Sequence, residues 1–177
     1  MIDFEFFKPA EIKCFPEISE RLYLLHKDKI NTAKTGAVEI PWKEENYLEL
    51  YHEVNELMKP QRVIRCRFFV TAPFLKLGMH VDYNLSKNAY ALNIPILVDT
   101  KDHFMNWYEY NGEVKITHTA TYNKSISPAE PDKVILKKTL TMLDPAFVQV
   151  GIFHEVLNKS PLPRIMLSIR FSDSFID

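Results

Sequence analysis

His80-Val81-Asp82 places an imidazole and a carboxylate two residues apart. In an extended segment both side chains leave the same face and can chelate one ion. With six histidines in 177 residues, about 0.3 His-x-Asp triplets arise by chance, so the triplet says little by itself. The C-terminal stretch FVQVGIFHEVLNKSPLPRIMLSIRF adds to it. Read as one strand over 147–157, it sets Val148, Val150, Ile152, His154 and Val156 on one face, a lone imidazole in an apolar row. After a turn at Asn158-Lys159-Ser160-Pro161, Arg164, Met166, Ser168 and Arg170 share a face of the next β-run. An inward strand arginine is costly unless it meets an anion, and its planar fork suits a carboxylate. The other histidines have ordinary settings. His26 and His52 read as helix-surface residues, and His103 and His118 sit near strand ends.

These side chains need a frame to hold them, and the first 60 residues read as helical. Ile18, Leu22 and Leu25 recur at helical spacing over 17–29, with Pro16 where a helix can start. Over 43–58, Tyr47, Leu50, Tyr51, Val54, Leu57 and Met58 form one apolar stripe. Glu44 and Glu45 lie at its positive end, and Lys59-Pro60 stops it. From Arg62 the period becomes two, and Ile64, Cys66, Phe68 and Val70 mark a buried strand face. Further strands are expected over 89–97, 103–110, 113–119, 133–140, 147–157 and 163–172. Asn111-Gly112 has the signature of a type I′ hairpin turn between the third and fourth strands. The polar stretch 120–132, with two prolines, reads as a long loop. The expected architecture is one α+β domain over 1–177, mainly β. Residues 61–177 form a jelly roll, and a helical part, 1–60, packs on its sheet.

Composition removes several function classes. Only four glycines are present, and Gly36, Gly78, Gly112 and Gly151 are isolated, so neither a Rossmann fingerprint nor a P-loop can be built. Isolated strand glycines instead mark bulges or close backbone approach, and Gly78 and Gly151 flank His80 and His154. A net charge of −1 and no basic run disfavour nucleic acid as a partner. Cys14 and Cys66 are too few for a disulfide framework or a thiolate zinc site. The start MIDFEFFKPAEIK lacks a leader pattern, and no run approaches the roughly 20 apolar residues of a membrane span, so a cytoplasmic location is expected.

His80-x-Asp82, a distal His154 and an arginine ten residues beyond it resemble the signature of the iron(II)- and 2-oxoglutarate-dependent oxygenases. The context agrees: GMHVDY, then ALNIPI, MNWYEY, VQVGIFHEVLNKSP and RIMLSIRF. The likeness spans roughly 62–172 and is greatest to the small, stand-alone prolyl-hydroxylase-like members.

The resemblance implies a double-stranded β-helix, a jelly roll, with His80, Asp82 and His154 as iron(II) ligands. Two imidazoles and a carboxylate on one octahedral face leave three positions open. It further implies that Arg164 binds the distal carboxylate of 2-oxoglutarate and that O₂ is the oxidant. Succinate and CO₂ would be released as a peptide or small-molecule substrate is hydroxylated. Ser168 resembles the family's downstream serine, although the spacing here is Arg-x₃-Ser rather than Arg-x-Ser. Tyr90, Asn93, Asn106 and Tyr108 are further candidates for contacts to 2-oxoglutarate, while Trp107 reads as packing and Arg65 and Arg67 as solvated or acid-paired. Iron(II), Asp82, Arg164 and the dianionic co-substrate together sum to neutrality. Two other readings compete. One is a cupin-like jelly roll that binds a metal or small acid without turnover. The other is a nucleic-acid demethylase, suggested by Arg164-x₅-Arg170 but opposed by the net charge and the short N-terminal region.

Overall fold

The computed structural model describes residues 5–82, 89–96, 101–117 and 125–172. Its elements run β1 (Phe7–Pro9), α1 (Glu17–Thr32), β2 (Gly36–Ile40), α2 (Glu44–Met58), β3 (Val63–Thr71), β4 (Lys76–Asp82) and β5 (Tyr90–Ile96). There follow β6 (His103–Glu109), β7 (Val114–Thr117), β8 (Ser125–Pro128), β9 (Ile135–Thr141), β10 (Ala146–Gln149), β11 (His154–Asn158) and β12 (Arg164–Phe171). One six-stranded sheet has the order β1-β10-β5-β12-β3-β2 and the other β7-β8-β4-β11-β6-β9. The strand pairings among the described residues are antiparallel. From β3 to β6, and again from β9 to β12, successive strands alternate between the sheets. That is the jelly-roll path, with the two helices on the outer side of the first sheet.

Alternation divides the first sheet into two faces, each buried. Tyr90, Leu92, Ile94 and Ile96 of β5, with Ile165, Leu167, Ile169 and Phe171 of β12, pack beneath the helices. They meet Ile18, Leu22 and Ile30 of α1 and Tyr47, Leu50, Val54 and Met58 of α2. The opposite face, between the sheets, is built from smaller or more pliable side chains. Ala89, Ala91, Ala146, Met105, Met142, Met166, Val148, Val150 and Trp107 form a second cluster there. Large residues anchor the helices, and small ones leave room inside the roll.

Several sequence expectations change. The strand read over 147–157 is two strands in opposite sheets, β10 and β11, joined through Val150–Phe153. Hydrophobic alternation continues through the crossover because both arms are buried, so the period did not reveal the break. Asn111-Gly112 makes no type I′ hairpin. β6 pairs with β9 and β11, β7 pairs with β8, and neither turn residue has positive φ. Glycine is needed at 112 for space, because a Cβ there would collide with the Tyr110 ring. The expected loop over 120–132 contains β8 and a 3₁₀ turn, Pro131–Lys133. Its first residues, and His118, lie outside the described residues. The part read as purely helical also supplies β1 and β2 as the edges of the first sheet. Leu25, Leu57 and Ile64 are exposed rather than in the core. No described helix is long and apolar enough to cross a membrane.

Phe68 is fully buried between the first sheet and the helices, whereas Leu25 is 54% exposed. In urea titrations Phe68→Ala is expected to cost about 3–5 kcal/mol, and Leu25→Ala to stay within about 0.5 kcal/mol of the native chain. Equal effects would contradict this division of the helix face.

Candidate metal centre

Antiparallel pairing of β11 with β4 sets His154 directly opposite His80, their ring centroids 4.5 Å apart. One step along β4, at the end of the strand, Asp82 projects from the same face. Between the His154–His80 and Val156–Leu77 pairs, Gly78 and Met79 oppose the single residue Glu155. This is a β-bulge, and it resets the alternation so that both Leu77 and His80 face inward. The glycine pointer from the sequence thus falls on a real strand irregularity.

His80, Asp82 and His154 each offer a ligand atom, all within 4.8 Å of one another, and all three residues are buried. His80 Nδ1 donates to the Gly78 carbonyl at 2.7 Å and His154 Nδ1 to the Ile152 carbonyl at 2.9 Å. Because a carbonyl can only accept, each imidazole carries a proton on Nδ1, and Nε2 is the nitrogen left for a metal. Burial, and then the neighbouring His80, push the His154 pKa down to about 3. It is therefore neutral at pH 7 and competent as a ligand.

Asp82 is held from its other side. Arg170 Nη2 donates to Asp82 Oδ2 at 2.7 Å, and both side chains are nine-tenths buried. Asp82 Oδ1 accepts no hydrogen bond among the described residues and lies 3.8 Å from His80 Nε2. The guanidinium thus occupies one carboxylate oxygen and leaves the other turned to the imidazoles.

A cleft extends from these residues between the sheets. His80, His154, Asn93, Ser168, Arg164 and Thr71 all line it. Arg164 is 2% exposed and stands opposite Thr71 in the β12–β3 register. Thr71 Oγ1 is buried and has no hydrogen-bond partner among the described residues, and the same holds for Asn93 Oδ1. Asn93 faces Ser168 across the β5–β12 pair, in the middle of the cleft. The position two residues after Arg164, where the resemblance expects serine, holds Met166 instead.

No protein-family model matches the sequence, and no curated protein does either. Solved structures match over almost the whole chain. AviO1 from Streptomyces viridochromogenes aligns with a TM-score of 0.62 at 14% identity, over 96% of this chain and 90% of that one. SnoN, an epimerase solved with Fe3+, alpha-ketoglutarate and nogalamycin RO, gives 0.59 at 10% identity, over 96% and 79%. The viral collagen prolyl hydroxylase vCPH of Paramecium Bursaria Chlorella virus-1, solved as a 2OG complex, gives 0.53 at 11% identity, over 98% and 97%. The chain shares the jelly-roll fold of these structures.

On this fold, His80, Asp82, His154, Arg164, Ser168 and Asn93 converge on one cleft. Tyr90 does not join them. It points the other way from β5 and packs its ring against Phe147 and Phe171 under the helices. Asn106 and Tyr108 also miss the cleft, because they project from the outer face of the second sheet. There Asn106 Nδ2 donates to Glu155 Oε1 at 2.8 Å, Tyr108 Oη donates to the same oxygen, and Lys76 Nζ lies 3.0 Å from Oε2. Burial raises the Glu155 pKa, but these three donors outweigh it and leave the carboxyl below its ordinary range. The network ties β11 to β4 and β6 directly behind His154. Arg67 pairs with Glu39 at 2.6 Å, one of the two outcomes expected for it, and Trp107 is core. His26 is half-buried against Tyr47 and Phe68 rather than on the surface. Sequence reasoning missed the Arg170–Asp82 pair and Thr71. Only the shared parity of Arg164 and Arg170 hinted at the pair.

The depressed His154 pKa gives a signed prediction. An unfolded histidine binds a proton near pH 6.5 while the folded one does not, so stability is full above that pH and falls on acidification toward pH 3. In metal-free protein the urea-derived stability should drop by about 2 kcal/mol more between pH 7 and pH 5 than in His154→Gln. Identical pH slopes in the two proteins would contradict a buried neutral His154.

Proposed function

We propose that this chain is an iron(II)- and 2-oxoglutarate-dependent oxygenase that hydroxylates a C–H bond of a peptidyl, prolyl-type or small-molecule substrate. The observation that carries the reading is one cleft with two differently equipped ends. At one end are two imidazoles with defined tautomers and a carboxylate oxygen without a hydrogen bond. At the other is a buried arginine.

The donor set suits the metal. Two neutral nitrogens and one carboxylate are the ligands of a facial iron(II) site with open positions. When bound, iron(II) and 2-oxoglutarate supply O₂-dependent oxidation of a C–H bond, with 2-oxoglutarate leaving as succinate and CO₂. The chain's own residues do the rest. Arg164 binds the distal carboxylate of the co-substrate through its fork, and the Thr71 hydroxyl beside it is a second donor for the same group. Ser168 and Asn93 offer polar contacts midway. Arg170 holds one oxygen of Asp82 and so fixes which oxygen faces the metal. Met105, Val150, Val156 and Met166 line the remaining wall and exclude water from the reacting end. The likeness to vCPH over nearly all of both chains adds support for a peptidyl substrate.

Turnover decides between an oxygenase and a jelly roll that only binds a metal or small acid. Iron(II) and 2-oxoglutarate added without oxygen should give a coloured chelate, and admitting O₂ should release succinate above a His80→Ala control. Arg164→Ala is expected to raise the 2-oxoglutarate concentration needed by at least about tenfold with iron affinity nearly intact. Iron bound with no succinate above that control would sink the oxygenase reading, and loss of iron affinity in Arg164→Ala would sink the role of Arg164.

A further inference from the structure

We infer that the substrate carries a carboxylate, held by Arg170 beside Asp82 in the cleft; this rests on the oxygenase reading above. The first ground is charge. His80 and His154 are neutral ligands, Asp82 contributes one negative charge, and Arg164 and Arg170 each contribute a positive one. A divalent metal and a dianionic co-substrate cancel each other, so the filled site keeps one positive charge among the described groups. The neutrality expected from the sequence omitted Arg170, which the fold brings in. A buried excess charge is costly unless an anion joins it.

The second ground is geometry. Arg170 lines the cleft and spends Nη2 on Asp82, while its Nη1 is buried and has no hydrogen-bond partner among the described residues. Its side chain is 9% exposed, so water is a poor substitute for a protein or ligand acceptor. One free guanidinium edge and one uncompensated charge match a monoanionic carboxylate better than a phosphate dianion. Arg170 lies about 20 Å along β12 from Arg164, at roughly 3.3 Å per residue, so the two serve different ligands. Beyond Arg170, Arg65 and Arg67 stand opposite Arg170 and Ser168 in the β3–β12 register, and both reach Glu39. By that register Arg67 lies on the same face of the sheet as Ser168, and its positive charge favours an anionic visitor.

The test uses the full chain loaded with manganese(II) and 2-oxoglutarate, a pair that relaxes nearby ligand protons without turnover. Calorimetry first measures 2-oxoglutarate binding, which reports on the oxygenase reading alone. Matched acids and amides are then added: phenylacetate with phenylacetamide, benzoylglycine with its amide, and acetylated acidic dipeptides with their carboxamides. The metal-induced relaxation of each probe is read by NMR. At least one acid should bind about tenfold more tightly than its amide without displacing 2-oxoglutarate, and the small acids and dipeptides show which source it comes from. Arg170→Gln should bring the ratio close to unity. Arg67→Gln, which leaves Asp82 and its partner in place, should lower it about threefold. No acid preferred over its amide, a preference that arises by displacing 2-oxoglutarate, or a ratio unchanged in both variants would overturn the proposal. If 2-oxoglutarate fails to bind, the oxygenase reading falls separately, and the same panel on the manganese-loaded protein still judges Arg170.

Discussion

Asp82 is an ionisable carboxyl taken out of water at the centre of the roll, and most of the local structure answers to that burden. A bare carboxylate there would cost several kcal/mol or take up a proton and cease to be a useful ligand. Arg170 meets it with a 2.7 Å hydrogen bond from the opposite sheet. The two residues are 88 positions apart, so the contact exists only when β4 and β12 are stacked across the interior. The ion pair at Asp82 is therefore also a link between the sheets. Removing Arg170 would strand a buried charge, whereas a bound divalent cation would stabilise it from the other side.

Space for that chemistry comes from how side chains are distributed on the first sheet. β5 and β12 are buried on both faces, yet the faces differ. Leu, Ile, Phe and Tyr go to the helices, and Ala, Asn, Met, Ser and Arg go to the interior. The helices thus complete a conventional hydrophobic core on the outside of the roll and relieve the inside of that task. Behind the metal ligands, Glu155 cross-links β11 to its neighbours on the outer face of the second sheet. Polar groups buried on both sides of β11 hold His154 in a fixed register with His80.

What was legible in the sequence was whatever depends on local parity. His80 and Asp82 share a face because they are two residues apart on one strand, and Arg164, Met166, Ser168 and Arg170 do so for the same reason. His154 was identified as inward-facing, but on a wrong picture. Val148 and His154 belong to opposite sheets, since the chain crosses between them at Val150–Phe153. Period alone cannot detect a crossover whose two arms are both apolar. Tyr90 was a candidate as a polar residue on the predicted strands, yet its odd separation from Asn93 on β5 sends the two to opposite faces. Asn106 and Tyr108 failed for a related reason: a strand buried on both faces hides which face is which. The Arg170–Asp82 bridge and the Thr71–Arg164 pairing depend on long-range register, which composition and spacing do not encode, whereas the bulge at Gly78–Met79 was marked by its isolated glycine.

The central claim is that the His80–Asp82–His154 end and the Arg164 end of the cleft act together on one co-substrate. Turnover under ¹⁸O₂ with iron(II) and unlabelled 2-oxoglutarate, followed by mass analysis of the succinate, tests it most directly. Oxidative decarboxylation places one atom of O₂ in the new carboxylate. The account therefore predicts succinate carrying one ¹⁸O atom, lost together with product in His80→Ala. Succinate without label, or none from protein shown to bind both iron and 2-oxoglutarate, would contradict it.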